Sequence, residues 1–164
     1  MRNAKTLRAL LFAAFFIVLS IGCSSSTADY RSYTSFNSAW PNNSPAEFTL
    51  TNLEGNYDVF IHLRNDNNYP FSNIFIIAEW EADAVLQSTD NLEYQMSSPE
   101  GKWLGTGFTE VKESKLYWKQ RQRLHDSVRY TVRLRHALRE IGQAQGIEEL
   151  TGILAVGIAA EKRN

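Results

Sequence analysis

A single cysteine, Cys23, is all the thiol chemistry that this chain of 164 residues holds, so no disulfide can form within it. Histidine is nearly as scarce: His62, His125 and His136 fall on separate segments with no HxxxH spacing. That excludes the common helical zinc motif, and His62 and His136 read as ordinary strand residues. There is no GxSxG elbow for a serine nucleophile. The Gly105-x-Gly107 pair in "GKWLGTGF" has no helix after it to receive a phosphate. Internal repeats and long helical periodicity are absent too. Nothing in these patterns points to catalysis, and the expectation is a protein that is not an enzyme and takes no cofactor.

What is present begins at the front. Arg2, Lys5 and Arg8 precede a nearly unbroken apolar run, Ala9 to Ile21. The run fits the ~7–15 residues of a secretory h-region and falls short of the ~20 that spanning requires. No A-x-A-like cut site follows. The run ends in "VLSIGCSSS", which looks like a bacterial lipobox, with small Gly22 before the thiol. Cys23 is therefore expected to carry a diacylglycerol thioether and, after cleavage, to become an acylated first residue. Leu19 stands four residues before the cysteine rather than the usual three. Two or more acyl chains make stable anchoring, since each buried CH₂ contributes about 0.8 kcal/mol. The "CSSST" that follows is polar and flexible, as a tether requires.

Without residues 1–22 the chain has 142 residues, enough for one domain with a real core. The expected division is a signal peptide over 1–22, a lipidated N-terminus and extended lead-in over 23–45, and a folded domain over 46–164. Charge is unevenly spread. Between Lys115 and Arg139 stand eight basic residues and one acid, Asp126, on an otherwise acidic chain.

The domain reads as strands. "YDVFIHLR" alternates Tyr57, Val59, Ile61 and Leu63 against Asp58, Phe60, His62 and Arg64. "RNDNNYP" is a turn, because Asn and Asp bond their own backbone and Pro70 cannot join a central strand. "FSNIFIIAEWEAD" reads as a strand apolar on both faces through Ile77, and "NLEYQM" alternates again. In "KLYWKQRQRL", Leu116, Trp118 and Leu124 share one parity, and Lys115, Lys119, Arg121 and Arg123 the other. After "HDS", Val128, Tyr130, Val132 and Leu134 alternate with Arg129, Thr131, Arg133 and Arg135. "GQAQGIEELTG" reads as a loop with room for one helical turn, and "ILAVGIAAEK" as a closing buried strand. About eight short strands without a long helix imply an all-β antiparallel sandwich, jelly-roll or Ig-like, with a partly closed barrel as the alternative.

Three surfaces are candidates for binding. With "HDS" as a hairpin turn, Lys119, Arg121, Arg123, Arg129, Arg133 and Arg135 form a basic ribbon opposite an apolar face. Such a ribbon suits an acidic partner or anionic headgroups, and equally serves to protect an edge strand. Glu79, Glu81 and Asp83 share a strand face and are weak calcium candidates; a solvated face is the plainer reading. Of Trp40, Trp80, Trp103 and Trp118, Trp80 and Trp118 read as core. Trp103, between Gly101 and Gly105, is the one suited to stacking on a sugar.

The blocks "YDVFIHLRNDNNYPFSNIFI" (57–76), "GKWLGTGFTEVKESKLYW" (101–118) and "YTVRLRHALREIGQAQGIEELTGILAVGIAAEK" (130–162) resemble the gliding-motility lipoprotein family GldH. The resemblance spans nearly the whole mature chain. It implies an envelope lipoprotein required for surface gliding, working beside the machinery that moves adhesins and its associated secretion system, with no catalytic residues to assign. A structural or assembly subunit binding other envelope proteins is the first expectation, and a glycan- or peptidoglycan-binding module the second. Two exposed tryptophans in one groove would favour the second. Ser24, rather than Asp, follows the cysteine, which leans toward the outer membrane, facing the periplasm.

Overall fold

The computed structural model describes residues 29–107, 109–139, 142 and 145–163; the signal segment, Cys23 and the serine tether lie outside them. Among the described residues are ten strands: β1 (Tyr30–Ser35), β2 (Ala39–Pro41), β3 (Ala46–Leu50), β4 (Gly55–Asn65), β5 (Asn73–Ala82), β6 (Val85–Gln95), β7 (Lys112–Leu124), β8 (Tyr130–His136), β9 (Glu149–Thr151) and β10 (Ile153–Lys162). Two antiparallel sheets, in orders β1-β10-β4-β7 and β3-β8-β5-β6, contribute their buried faces to one core, and β2 pairs with β9 beside them. All-β and sandwich-like is what the alternating segments require.

The pairing is nested. β1 meets β10, β3 meets β8, β4 meets β7 and β5 meets β6, as if one long ribbon were folded over on itself. Setting aside the two three-residue strands, this is the jelly-roll order of two Greek keys. It places chain neighbours in opposite sheets, apart from β5 and β6, which form a hairpin within one sheet. One end of the sandwich, where the chain enters at Asp29, gathers the turns at 51–54, 83–84 and 125–129. The other end gathers 66–72, 96–107, 109–111, 137–139 and 145–148.

Alternation places the core as expected in β4, where Tyr57, Val59, Ile61 and Leu63 are buried, and in β8, where Tyr130, Val132 and Leu134 are. β10 is buried on both faces from Ala155 through Ala160, with Ile153 buried and Leu154 half-buried before them.

Four expectations need correcting. The segment over 23–45 is not merely a lead-in to a domain starting at 46. Tyr30–Ser35 pairs residue for residue with β10, and Trp40 is fully buried against Phe36 and His136. β5 is buried on one face only: Phe75 is 38% exposed and Ile77 half-buried, while Ile74 and Ile76 are buried. The loop before β10 shows no helical turn among the described residues; it supplies β9, whose Leu150 is buried. Lastly, β7 and β8 are not hairpin partners but lie in different sheets.

Candidate functional site

Separation of β7 from β8 breaks up the basic ribbon. Arg133 and Arg135 stand on the outer face of the β3-β8-β5-β6 sheet, where they meet the acidic face of β5. Arg133 bonds Glu47 at 2.7 Å and also Glu81, and Arg135 reaches Glu79 at 3.2 Å. The carboxylates suggested for calcium are thus engaged by arginines, while Asp83 Oδ1 accepts the backbone N–H of Arg129 at 3.0 Å.

On β7 the parity itself fails. Irregular register opposite Tyr57 and Val59 and a left-handed Arg121 (φ 48°) turn the strand, with the Arg121 N–H held by Asp58 Oδ1 at 2.9 Å. Lys119 points inward to Asp90 at 2.9 Å and lies over the Trp118 ring at 4.9 Å. Arg123 pairs with Glu54 at 3.2 Å. Arg121 and Arg129 make no salt bridge among the described residues.

These differences have a direct test. Arg133→Glu places a carboxylate beside Glu47 and Glu81 and is expected to cost about 1–2 kcal/mol in urea unfolding, since it exchanges two ion pairs for two repulsions. Arg121→Glu is expected to stay within about ±0.5 kcal/mol. Equal midpoints for the two variants would contradict the pairing.

A different constellation is assembled by the fold. On the outer face of the β1-β10-β4-β7 sheet, Glu113 accepts hydrogen bonds from Tyr33 Oη at 2.8 Å, from His62 Nδ1 at 2.9 Å and from Arg64 Nε at 2.7 Å. Three strands meet at one carboxylate. The route is opened by β10: Gly157 lies in register between Tyr33 and His62, and a Cβ there would stand 2.6 Å from the Tyr33 ring. The Arg64 guanidinium stacks over Tyr33 at 4.4 Å, and His62 is 3% exposed.

Burial pushes the Glu113 carboxyl up, but the bonds from Arg64, Tyr33 and His62 outweigh it, so it titrates below the ordinary glutamate range. Burial lowers His62 against the raising influence of Glu113, and the ring is neutral at pH 7. Tyr33 Oη, His62 Nδ1 and Arg64 Nε are thus spent on an internal carboxylate, an arrangement suited to fastening strands.

Beside this cluster lies a hollow of about 960 Å³ at the end far from Asp29, walled by Asn67, Lys102, Trp103, Thr106, Lys112 and Glu113 among others. Its shape is set by close contacts. Thr106 bridges to Glu113, and a Cβ on Gly107 would fall 2.3 Å from the Val111 carbonyl oxygen, so only glycine lets the segment lie so near β7. Lys112 Nζ donates to the carbonyls of Gly107 and Thr109 at 2.8 and 2.7 Å. The Trp103 indole N–H donates to Asn67 Oδ1 at 3.1 Å, and its ring tilts against Tyr69. Leu104 and Val111 are exposed nearby, Leu104 by 56%.

The other tryptophans are elsewhere. Trp40 and Trp80 are buried, and Trp118 packs edge-on to Trp80 with its N–H on Asp90. Trp103 is the one that lines this hollow.

The model of the GldH lipoprotein family matches residues 28–160. A gliding motility lipoprotein GldH homolog of Christiangramia forsetii is 39% identical over 155 residues, covering 92% of this chain and 96% of that protein. The gliding motility lipoprotein GldH of Flavobacterium johnsoniae is 40% identical over 137 residues, covering 82% of this chain and 85% of that protein. Among solved structures, dimeric latent PorU from Porphyromonas gingivalis matches at a TM-score of 0.31 and 10% identity, over 87% of this chain and 14% of that one, too weak a likeness to carry an argument. With the strand blocks, the segment 101–118 and the match over 28–160 in agreement, this chain belongs to the GldH lipoprotein family of gliding-motility proteins.

Proposed function

We propose that this lipoprotein is a non-catalytic assembly subunit of the gliding and associated secretion machinery, held by acylated Cys23 to the outer membrane and facing the periplasm. What supports the reading is the hollow beside Trp103: it is built from fixed backbone contacts, has exposed Leu104 and Val111 next to its lining residues in the chain, and stands at the end away from Asp29. An exposed leucine next to a half-buried aromatic is the chemistry of a protein-docking anchor. The cluster at Glu113 backs this wall and fixes it to β1 and β4.

Leu104→Glu replaces an exposed apolar side chain beside the hollow without touching the core, so it is expected to melt within about ±0.5 kcal/mol of the parent. It should be present at normal level yet fail to restore spreading in cells lacking the gene, and a photo-crosslinker at Leu104 should capture an envelope protein. The glycan reading is kept by Trp103 alone. It takes over if Leu104→Glu cells spread normally while purified protein binds peptidoglycan fragments and loses them on Trp103→Ala. Sucrose-gradient separation of the two membranes tests the location.

A further inference from the structure

The hairpin between β5 and β6 ends in a two-residue turn, Asp83–Ala84, with both residues left-handed at φ 48° and 64°. This is the twist that tight hairpins prefer, adopted here without glycine. The turn is braced: Asp83 N–H donates to the Arg129 carbonyl at 2.9 Å, and Arg129 N–H donates to the Asp83 carboxylate at 3.0 Å. Immediately after it stand two of the most exposed large apolar side chains described, Val85 at 61% and Leu86 at 54%. A rigid turn that displays two adjacent aliphatic residues to water needs a reason, because neither contributes to the core.

Its place in the molecule suggests one. The hairpin turn lies at the end where the chain enters, since Ala82 is in register with Tyr130, and Leu124 with Gly55. Tyr30 is seven residue steps from Cys23, a span of at most about 24 Å fully extended. Tyr30 is level with Ala160 and hence with Val59, four residues from the rim at Gly55, about 13 Å. Measured along the strands, an anchor at Cys23 therefore lies at most about 11 Å beyond the rim, on the scale of a headgroup layer. At this rim Arg123 pairs with Glu54 and Arg163 with Asp58, while Arg121 and Arg129 make no salt bridge among the described residues, so an apolar contact rests on exposed Val85 and Leu86 and is separated from an electrostatic one by its salt dependence.

We infer that Val85 and Leu86 form a membrane-contacting tip that rests in the headgroup–acyl boundary of the bilayer carrying the lipid anchor, standing the sandwich upright with its hollow directed away from the membrane. This rests on acylation at Cys23. A short tether alone holds the domain near the surface; two inserted aliphatic side chains fix which end faces it.

The thiol of Cys23 is consumed in the acylated protein, so a single new cysteine can be labelled cleanly. Leu86→Cys and, at the far end, Leu104→Cys are to be made in the full chain, purified from membranes, labelled with an environment-sensitive fluorophore and reconstituted in phosphatidylethanolamine–phosphatidylglycerol vesicles. The label at 86 is expected to shift to the blue and to be quenched severalfold more by brominated lipid than the label at 104, equally at low and high salt. Val85→Glu in the Leu86→Cys background should reduce that quenching. Vesicles that float with the protein while both labels report water overturn the tip. Protein that does not float with vesicles overturns the anchor at Cys23 and the tip with it. Quenching that vanishes in high salt points to charge and also overturns the apolar contact.

Discussion

A chain shortened to begin at Ala46 is expected to lose its cooperative unfolding transition, whereas one beginning at Asp29 should unfold like the full mature protein. The shorter chain lacks β1, whose six residues pair with Tyr30↔Ala160 through Ser35↔Ala155. Removing it turns β10, a central and almost wholly buried strand, into an open apolar edge, which invites association. It also removes Trp40. That side chain is fully buried, stacks on Phe36 with centroids 5.8 Å apart, and meets His136 edge-on at 5.4 Å. The Trp40 carbonyl further accepts a bond from His136 Nε2 at 3.0 Å. Trp40→Ala alone should cost about 3–5 kcal/mol, a large share of the roughly 5–15 kcal/mol that holds a domain together. Urea titration followed by circular dichroism decides it. A fragment from Ala46 with an unchanged midpoint would restore the boundary at 46.

Why the boundary was hard to see in the sequence has a physical answer. β1 alternates poorly, being half-buried at Tyr30, Ser32, Tyr33 and Thr34, because an edge strand is partly covered on each side. Pro41, Asn42 and Asn43 then resemble an extended connection. The strength of both strands lies in partners more than a hundred residues away, β10 and β9. By contrast β4, β8 and β10 are legible, since each is long and buried on at least one whole face. The same limit explains the basic ribbon. Parity fixes which residues of a strand share a face, but not which sheet the strand joins, and in a nested ribbon neighbours such as β7 and β8 part company. A bulge shifts parity as well, as at Arg121.

The Glu113 cluster has no local signature, its donors being 80, 51 and 49 residues from the acceptor. One clue was present. "ILAVGIAA" is apolar on both faces, and a strand of that kind must be covered on its outer side too. In this small domain the cover comes from side chains of β1 and β4 laid across Gly157 and the alanines beside it.

Glu113→Ala is accordingly expected to be the most damaging polar substitution, at about 2–4 kcal/mol. Hydrogen bonds to a charged group contribute roughly 1.5–3 kcal/mol each, less where solvent reaches them, and three donors lose their acceptor together. His62 suffers most, being buried. Tyr33→Phe removes one bond and should cost about 1 kcal/mol. Gly157→Val should exceed it, because the new side chain displaces the Tyr33 ring and meets the Ser32 carbonyl, which a Cβ would approach to 2.7 Å. In a double-mutant cycle, Glu113→Ala and Tyr33→Phe should be markedly less than additive, since they remove the same bond. Acid provides an independent readout. Glu113 titrates below its unfolded value, so its contribution is complete above about pH 4.3 and disappears as pH falls through the folded value. His62 also titrates below its unfolded value, so the unfolded chain gains a proton first and stability declines as pH drops below about 6.5. Both slopes run the same way, and Glu113→Ala removes the lower one. Its urea midpoint should therefore change less than that of the parent between pH 5 and pH 3. Parallel acid curves for the two proteins would mean that Glu113 does not fasten β1 to β7 across the face of β10.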